Sequence, residues 1–304
     1  MLKVVILGSA AGGGVPQWNC NCRVCAAAWV DPTLRNTQVS AAVSADNGLH
    51  WFLINASPDI RQQILDTPAL HPAKGQLRHS PIAGVILTNG EIDAIAGLLS
   101  LRESCPFALH AHPRVLATLA SNSVFDVLNP ALVPRIPMHL NQPIEPLLPD
   151  GSPSGLTIEA FAVPGKPAWY MEGAKADPGD TIGLRLQTTA SGESIYFIAA
   201  CAEVTPDLAD RLRKARLVLF DGTLWQDDEM IRAGLGQKTG QRMGHLSMSG
   251  SHGTIAALGG LDITQRVFVH INNTNPALLP DTPERRALTD AGWHIPTMGE
   301  EFIV

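Results

Sequence analysis

Three cysteines fall within six residues, Cys20, Cys22 and Cys25, in the pattern C-x-C-x-x-C. Thiolates are strong ligands for zinc, and a closed tetrahedral site needs four such donors. The alternative is three small buried thiols. Cys105 and Cys201 lie in apolar or strand-like surroundings and read as core residues. His245, in G-H-L-S, is the better fourth donor. A Cys3His site has no open position, so its expected role is structural, tying the loop near residue 20 to the C-terminal half.

A second set of chemical groups is built from acids. The stretch V-I-L-T-N-G-E-I-D-A runs from Val85 to Ala94. Its apolar start suits a buried strand, Thr88-Asn89-Gly90 breaks it, and Glu91 and Asp93 follow. Ligands in open α/β sheets sit at such strand ends. The bland reading is a turn with two solvated acids at a helix start. Asp221, after the strand from Arg216, and His270, ending the strand from Arg266, repeat the placement. Lys166, in P-G-K-P, offers a point charge for an anionic group. His71 and His79 read as surface residues, and a metal role for His110 and His112 is the weaker reading. The loop Gly8 to Gly14 does not open into a helix pattern, so it is expected to edge a ligand pocket rather than bind a dinucleotide.

The elements that must position these groups come in similar series. Strands are expected at 4–7, 39–44, 51–56, 85–87, 107–111 and 156–163, and again at 181–188, 194–198, 216–220, 266–270 and 300–304. The pair at 181–198 turns near Ser191-Gly192. Helices are expected at 59–65 with Ser57 as cap, from Ile92, at 114–121 and 202–212, and from Ser249 or Ser251 through Leu258. The proline-rich stretch 125–149 reads as a packed excursion that covers a pocket. One domain over 1–304 is expected, with two similar halves, about 1–165 and 181–304, packed as a sandwich with helices outside.

Composition narrows the function. With 45% apolar and only 16% charged residues, the chain can bury a large core. A net charge of -6 without a Lys/Arg run argues against nucleic-acid binding. No apolar run is long enough to span a membrane, and the start M-L-K-V-V-I-L-G lacks signal-peptide flanks. Clustered, odd-numbered cysteines suit a reducing compartment, so a cytoplasmic protein is expected.

Five stretches carry a resemblance: L-G-S-A-A-G-G-G-V-P-Q-W-N-C-N-C-R-V-C from Leu7, T-N-G-E-I-D from Thr88, F-D-G-T-L-W from Phe220, M-G-H-L-S from Met243 and H-I-N-N-T-N-P from His270. With them the whole chain resembles the metallo-β-lactamase superfamily, and within it the branch serving pyrroloquinoline quinone (PQQ) biosynthesis. The resemblance implies an α/β fold, an αββα sandwich of two mixed β-sheets with helices on the outer faces. In hydrolytic members a motif H-x-H-x-D-H follows the same strand. Its first two histidines fall here on Asn89 and Glu91, its aspartate on Asp93 and its last histidine on Ala94. The next family histidine falls on Lys166, the metal-bridging aspartate on Asp221 and the final histidine on His270. Cys20, Cys22, Cys25 and His245 resemble the structural zinc site of phosphodiesterase-like members.

A two-metal hydrolase needs several histidines and a bridging acid, and four of those ligands are replaced. Glu91, Asp93, Asp221 and His270 are left to hold one divalent ion, with Fe(II) favoured and Mn, Mg or Zn compatible. Only one histidine of a 2-His-1-carboxylate set is evident. The resemblance then implies a hydroxylase acting on the tyrosine of a peptide-derived precursor that joins tyrosine and glutamate, with Lys166 receiving a substrate carboxylate. The alternatives are a soluble carrier of PQQ or its precursor toward the periplasm, and a metal-dependent hydrolase. Other PQQ-pathway proteins and a second copy of the chain are the expected macromolecular partners.

Overall fold

Apolar residues alternate between two destinations along nearly every strand, and that alternation builds the layers. The structure is a computed structural model that describes residues 1–171, 173, 175–189 and 192–304. The first sheet holds β1 (Lys3–Gly8), β2 (Ser40–Ser44), β3 (Trp51–Ile54), β4 (Ile82–Ile86), β5 (Ala108–Ala111) and β6 (Arg135–Pro137). The second holds β7 (Leu156–Ala162), β8 (Ile182–Thr188), β9 (Ile195–Ile198), β10 (Leu217–Asp221), β11 (Gln265–Val269) and β12 (Trp293–His294). The last strand, β13 (Glu301–Ile303), returns to pair antiparallel with β1.

The strand orders are β13-β1-β2-β3-β4-β5-β6 and β12-β11-β10-β9-β8-β7. Both sheets follow one grammar. Antiparallel neighbours come first, β1-β2-β3 and β7-β8-β9. Parallel strands follow, β4-β5-β6 and β10-β11-β12. Strand β7, grouped with the first half by sequence, pairs with β8, so, apart from the returning β13, the sheets divide the chain between β6 and β7.

Val4, Ile6, Val43, Phe52 and Ile54 face Leu184, Phe197, Leu217, Leu219 and Val269 in the core between the sheets. The alternate residues Val5, Leu7, Leu53 and Val85 pack outward against Ile60, Ile95, Leu98 and Val115. Ile198, Val218, Phe220 and Phe268 do the same against Leu208, Leu212, Leu258 and Leu288. A period of two therefore produces the expected αββα sandwich.

Local departures have local causes. The helix at Ile60–Asp66 has Asp59 at its cap position; Ser57 accepts from Asp59 N instead and binds Gln63. The helix expected from Ser249 or Ser251 begins at Thr254, because Gly250, at φ 94°, turns the chain first. After Ile92–Ile95 the helix tightens into a 3-10 turn over Ala96–Leu101. The turn expected near Ser191 lies outside the described residues. Among the described residues no helix is long and apolar enough to cross a membrane.

Candidate metal centres and the adjoining cleft

The carboxyl ends of β4, β9 and β11 open into one cleft of ≈ 320 Å³. Gly12, Gly13, Glu91, Asp93, Lys166, Trp169, His245 and His270 are among its lining residues. The glycine loop thus edges a pocket, as its sequence suggests.

Asp221 anchors the site. It ends β10 and is fully buried. The next residue must be glycine, because a Cβ on Gly222 would lie 2.5 Å from Met248 and 2.9 Å from Phe268 Cβ. Asp221 Oδ1 accepts from Thr223 N at 3.0 Å and Thr223 Oγ1 at 2.6 Å. Its Oδ2 accepts from Cys201 N at 2.9 Å and faces His245 Nδ1 at 2.7 Å. A carboxylate can only accept, so His245 carries its proton on Nδ1.

His270 holds the other side. It adopts φ 56°, in the left-handed region, at the first position beyond β11. Its Nδ1 lies 2.8 Å from Thr223 Oγ1 and its Nε2 3.0 Å from Asp93 Oδ2. The Thr223 hydroxyl spends its one hydrogen on Asp221, so toward His270 it accepts. Burial works against a charge on this imidazole, but the bond and charge of Asp93, with Asp221 and Glu91 nearby, raise its pKa above the ordinary histidine value. Burial likewise opposes ionisation of Asp93, and His270 overcomes it, leaving that carboxyl below its ordinary value. The His245 and His270 rings stack, with centroids 5.0 Å apart and planes 19° from parallel.

This arrangement corrects the assignment of His245 to the thiol site. His245 hydrogen-bonds Asp221 and stacks on His270, and ligand atoms of these three residues lie within 4.8 Å of one another. Glu91 stands apart from that group. Its carboxylate takes Lys166 Nζ at 3.0 Å and Trp169 N at 3.0 Å. Lys166 therefore has an internal partner rather than a free ammonium. His112 caps its own helix through Nδ1, and His110 is buried with no partner for either ring nitrogen, so neither joins a cluster among the described residues.

The sulfur atoms of Cys20, Cys22 and Cys25 form a second group within 4.8 Å. Asn273 completes their surroundings: its Nδ2 lies 3.1 Å from Cys20 Sγ and 3.2 Å from Cys25 Sγ, while Cys22 Sγ donates to its carbonyl at 3.2 Å. Burial pushes the Cys22 thiol up to about 12. At Cys20 hydrogen bonds from Cys22, Cys25 and Asn273 outweigh it and lower the pKa. Thr223 and Asn273 escaped sequence reading. The only local signals were a hydroxyl two residues after Asp221 and the N-N-T-N run after His270.

A family model described as the beta-lactamase superfamily domain matches residues 50–271. Coenzyme PQQ synthesis protein B of Rhodopseudomonas palustris (strain TIE-1) is 62% identical over 309 residues, covering 100% of both chains. The protein of the same name from Bradyrhizobium diazoefficiens is 58% identical over 311 residues, again covering 100% of each. Among solved structures, Zn(2+)-bound PqqB from Methylobacterium extorquens is 48% identical with TM-score 0.93, covering 99% of this chain and 100% of that one. A diphosphatase of the PhnP family, 20% identical with TM-score 0.69 over 100% and 98% of the two chains, shares the fold.

Proposed function

The chain belongs to the coenzyme PQQ synthesis protein B family of the β-lactamase superfamily, and from that membership we propose that it is a metal-dependent hydroxylase acting on the tyrosine of a peptide-derived PQQ precursor. The observation that carries this reading is the joining of His245 to His270 beside Asp93 in one cleft. Two imidazoles and a carboxylate are the donor set of non-haem iron oxygenases. A two-metal hydrolase would need the histidines that Asn89, Glu91, Ala94 and Lys166 replace.

The residues fit such an ion. Both Nδ1 atoms point at Asp221 or Thr223, which leaves the Nε2 atoms as the ligand nitrogens. A proton now lies between His270 Nε2 and Asp93 Oδ2, and a metal would take that place. His245, His270 and Asp93 would hold the ion. Asp221, whose oxygens already meet four donors, orients both imidazoles directly or through Thr223. Ferrous iron would supply the activation of dioxygen that ring hydroxylation needs; manganese, magnesium and zinc suit the same donor types.

The chain itself binds and orients the substrate. Trp169 and Ile92, both largely exposed, line the cleft and can pack an aromatic ring. Lys166 can exchange Glu91 for a substrate carboxylate, since the pair is partly solvated. At the other centre, Cys20, Cys22 and Cys25 would hold a structural zinc, with the Asn273 backbone carbonyl beside Cys22 Sγ. The Zn(2+)-bound relative supports a zinc in the family.

The test is anaerobic loading with iron, then oxygen, a reductant such as ascorbate to supply the two electrons that each hydroxylation consumes, and a precursor peptide joining tyrosine and glutamate. A product heavier by one or two oxygen atoms supports the reading. No mass gain with any divalent metal overturns it. Saturable PQQ binding by metal-free protein without turnover would favour the carrier instead, and turnover of esters by zinc-loaded protein would favour a hydrolase.

A further inference from the structure

The two sheets end at β6 and β7, and the sandwich opens between those edges. The chain covers the opening with the segment 144–151, pinned to β7 by reciprocal hydrogen bonds between Ile144 and Ile158, each 2.8 Å. Beneath it lies a cavity of ≈ 530 Å³, walled by Phe107, Leu132, Ile136, Ile144, Leu147 and Leu148. The proline-rich excursion is therefore a lid over a real pocket, and that pocket shares no lining residue with the candidate metal cleft.

One side chain in the lining breaks the apolar pattern. His110 lies on β5 between Leu109 and Ala111, which pack on the outer, helical face. It therefore faces the sandwich interior, where it is 2% exposed and lines the cavity. Neither ring nitrogen has a hydrogen-bond partner or is open to solvent, so a ligand reaches one of them only when the imidazole turns toward the cavity. A buried polar group left so costs roughly 1–3 kcal/mol, and folded proteins rarely leave both nitrogens of an imidazole unsatisfied. The remaining charged group of the lining, Glu145, has its Oε1 engaged by Gly155 N.

We propose that this cavity binds a small uncharged aromatic alcohol, its ring against the apolar walls and its hydroxyl on His110. A hydroxyl both donates and accepts, so it satisfies a neutral imidazole in either tautomer. An anion is disfavoured: it would be desolvated among apolar walls, beside Glu145 and without a cation in the lining. The cavity is also large enough for a single ring and its substituents. This inference stands independently of the chemistry proposed for the metal cleft.

Three probes of one shape separate the terms: p-cresol, toluene and p-toluate, each titrated into the full chain while amide NMR signals are followed. Saturable shifts at Ala108 and Ile136 are expected for p-cresol and, about tenfold more weakly, for toluene, the factor that one net hydrogen bond supplies. p-Toluate should leave those signals unmoved. In His110→Leu, toluene should still bind and the preference for p-cresol should vanish. The wild-type comparison decides the matter even if that variant folds poorly. Shifts confined to Gly12, Thr181 and His270, tighter binding of p-toluate, a preference that survives in His110→Leu, or no saturable shift at all would each overturn the proposal.

Discussion

His245 Nδ1 lies 2.7 Å from Asp221 Oδ2, although the two residues are 24 positions apart in the chain. That contact takes His245 away from the thiol cluster and gives the candidate metal cleft its second imidazole. The two centres are thereby separable, and each can be removed without touching the other.

Cys22→Ser should cost the protein its thiol-bound zinc and lower the midpoint of thermal unfolding by roughly 5 °C, through loss of about 3 kcal/mol. His245→Ala should keep that zinc and most of the stability while losing the second metal. Metal analysis and calorimetry on the two variants check this together. Retention of full zinc by Cys22→Ser would refute the assignment.

Thr223 is the shared hydrogen-bonding partner of Asp221 and His270. Thr223→Val keeps the shape but leaves both groups short of a partner, so affinity for the second metal should fall about 10–100-fold. Thr223→Ser should restore it. Competitive metal titration of the metal-free variants reads the difference, and equal affinities for valine and serine would rule out the orienting role.

Lys166→Met should barely alter stability. The Lys166 and Glu91 side chains are 35% and 27% exposed, and a pair so solvated is worth about 0–1 kcal/mol. Binding of a carboxylate-bearing substrate should weaken about tenfold with little change in kcat. A fall in kcat with KM unchanged would instead place Lys166 in the chemical step.

The His110 imidazole is pushed down by burial from 6.5 to about 4. In the fold it stays neutral, while in the unfolded chain it gains a proton below the ordinary histidine value. Its contribution to stability is therefore complete above 6.5 and is lost progressively as the pH falls toward about 4. Between about pH 7.5 and about pH 5 the loss should be about 2 kcal/mol. Urea unfolding of wild type and His110→Phe should show that slope flattened in the variant. Identical pH dependence would contradict it.

The sequence by itself determined the layers and most of the ligand inventory. The weak alternation over 39–44 and the continuous apolar run 217–220 both mark strands, and the strand's own period of two then sends successive side chains to opposite faces, because that periodicity is local. Polar breaks at Glu91, Asp93, Asp221 and His270 mark strand ends for the same reason, and three cysteines in six residues can reach one ion over a short chain. What the tertiary structure alone decided is who meets whom. The order β9-β10-β11 brings Asp221 and His270 to one edge, and the hydrogen bond of Leu246 N to Cys201 O, at 2.7 Å, delivers His245 to them. The same kind of distant pairing sets Asn273 against the thiols and leaves His110 facing a cavity. Short edge strands such as β6 and β12 were illegible for a related reason: two or three residues carry too little periodicity, and their pairing partner supplies the rest. Contacts across tens to hundreds of residues depend on sheet order and packing of the whole core, which no local pattern encodes.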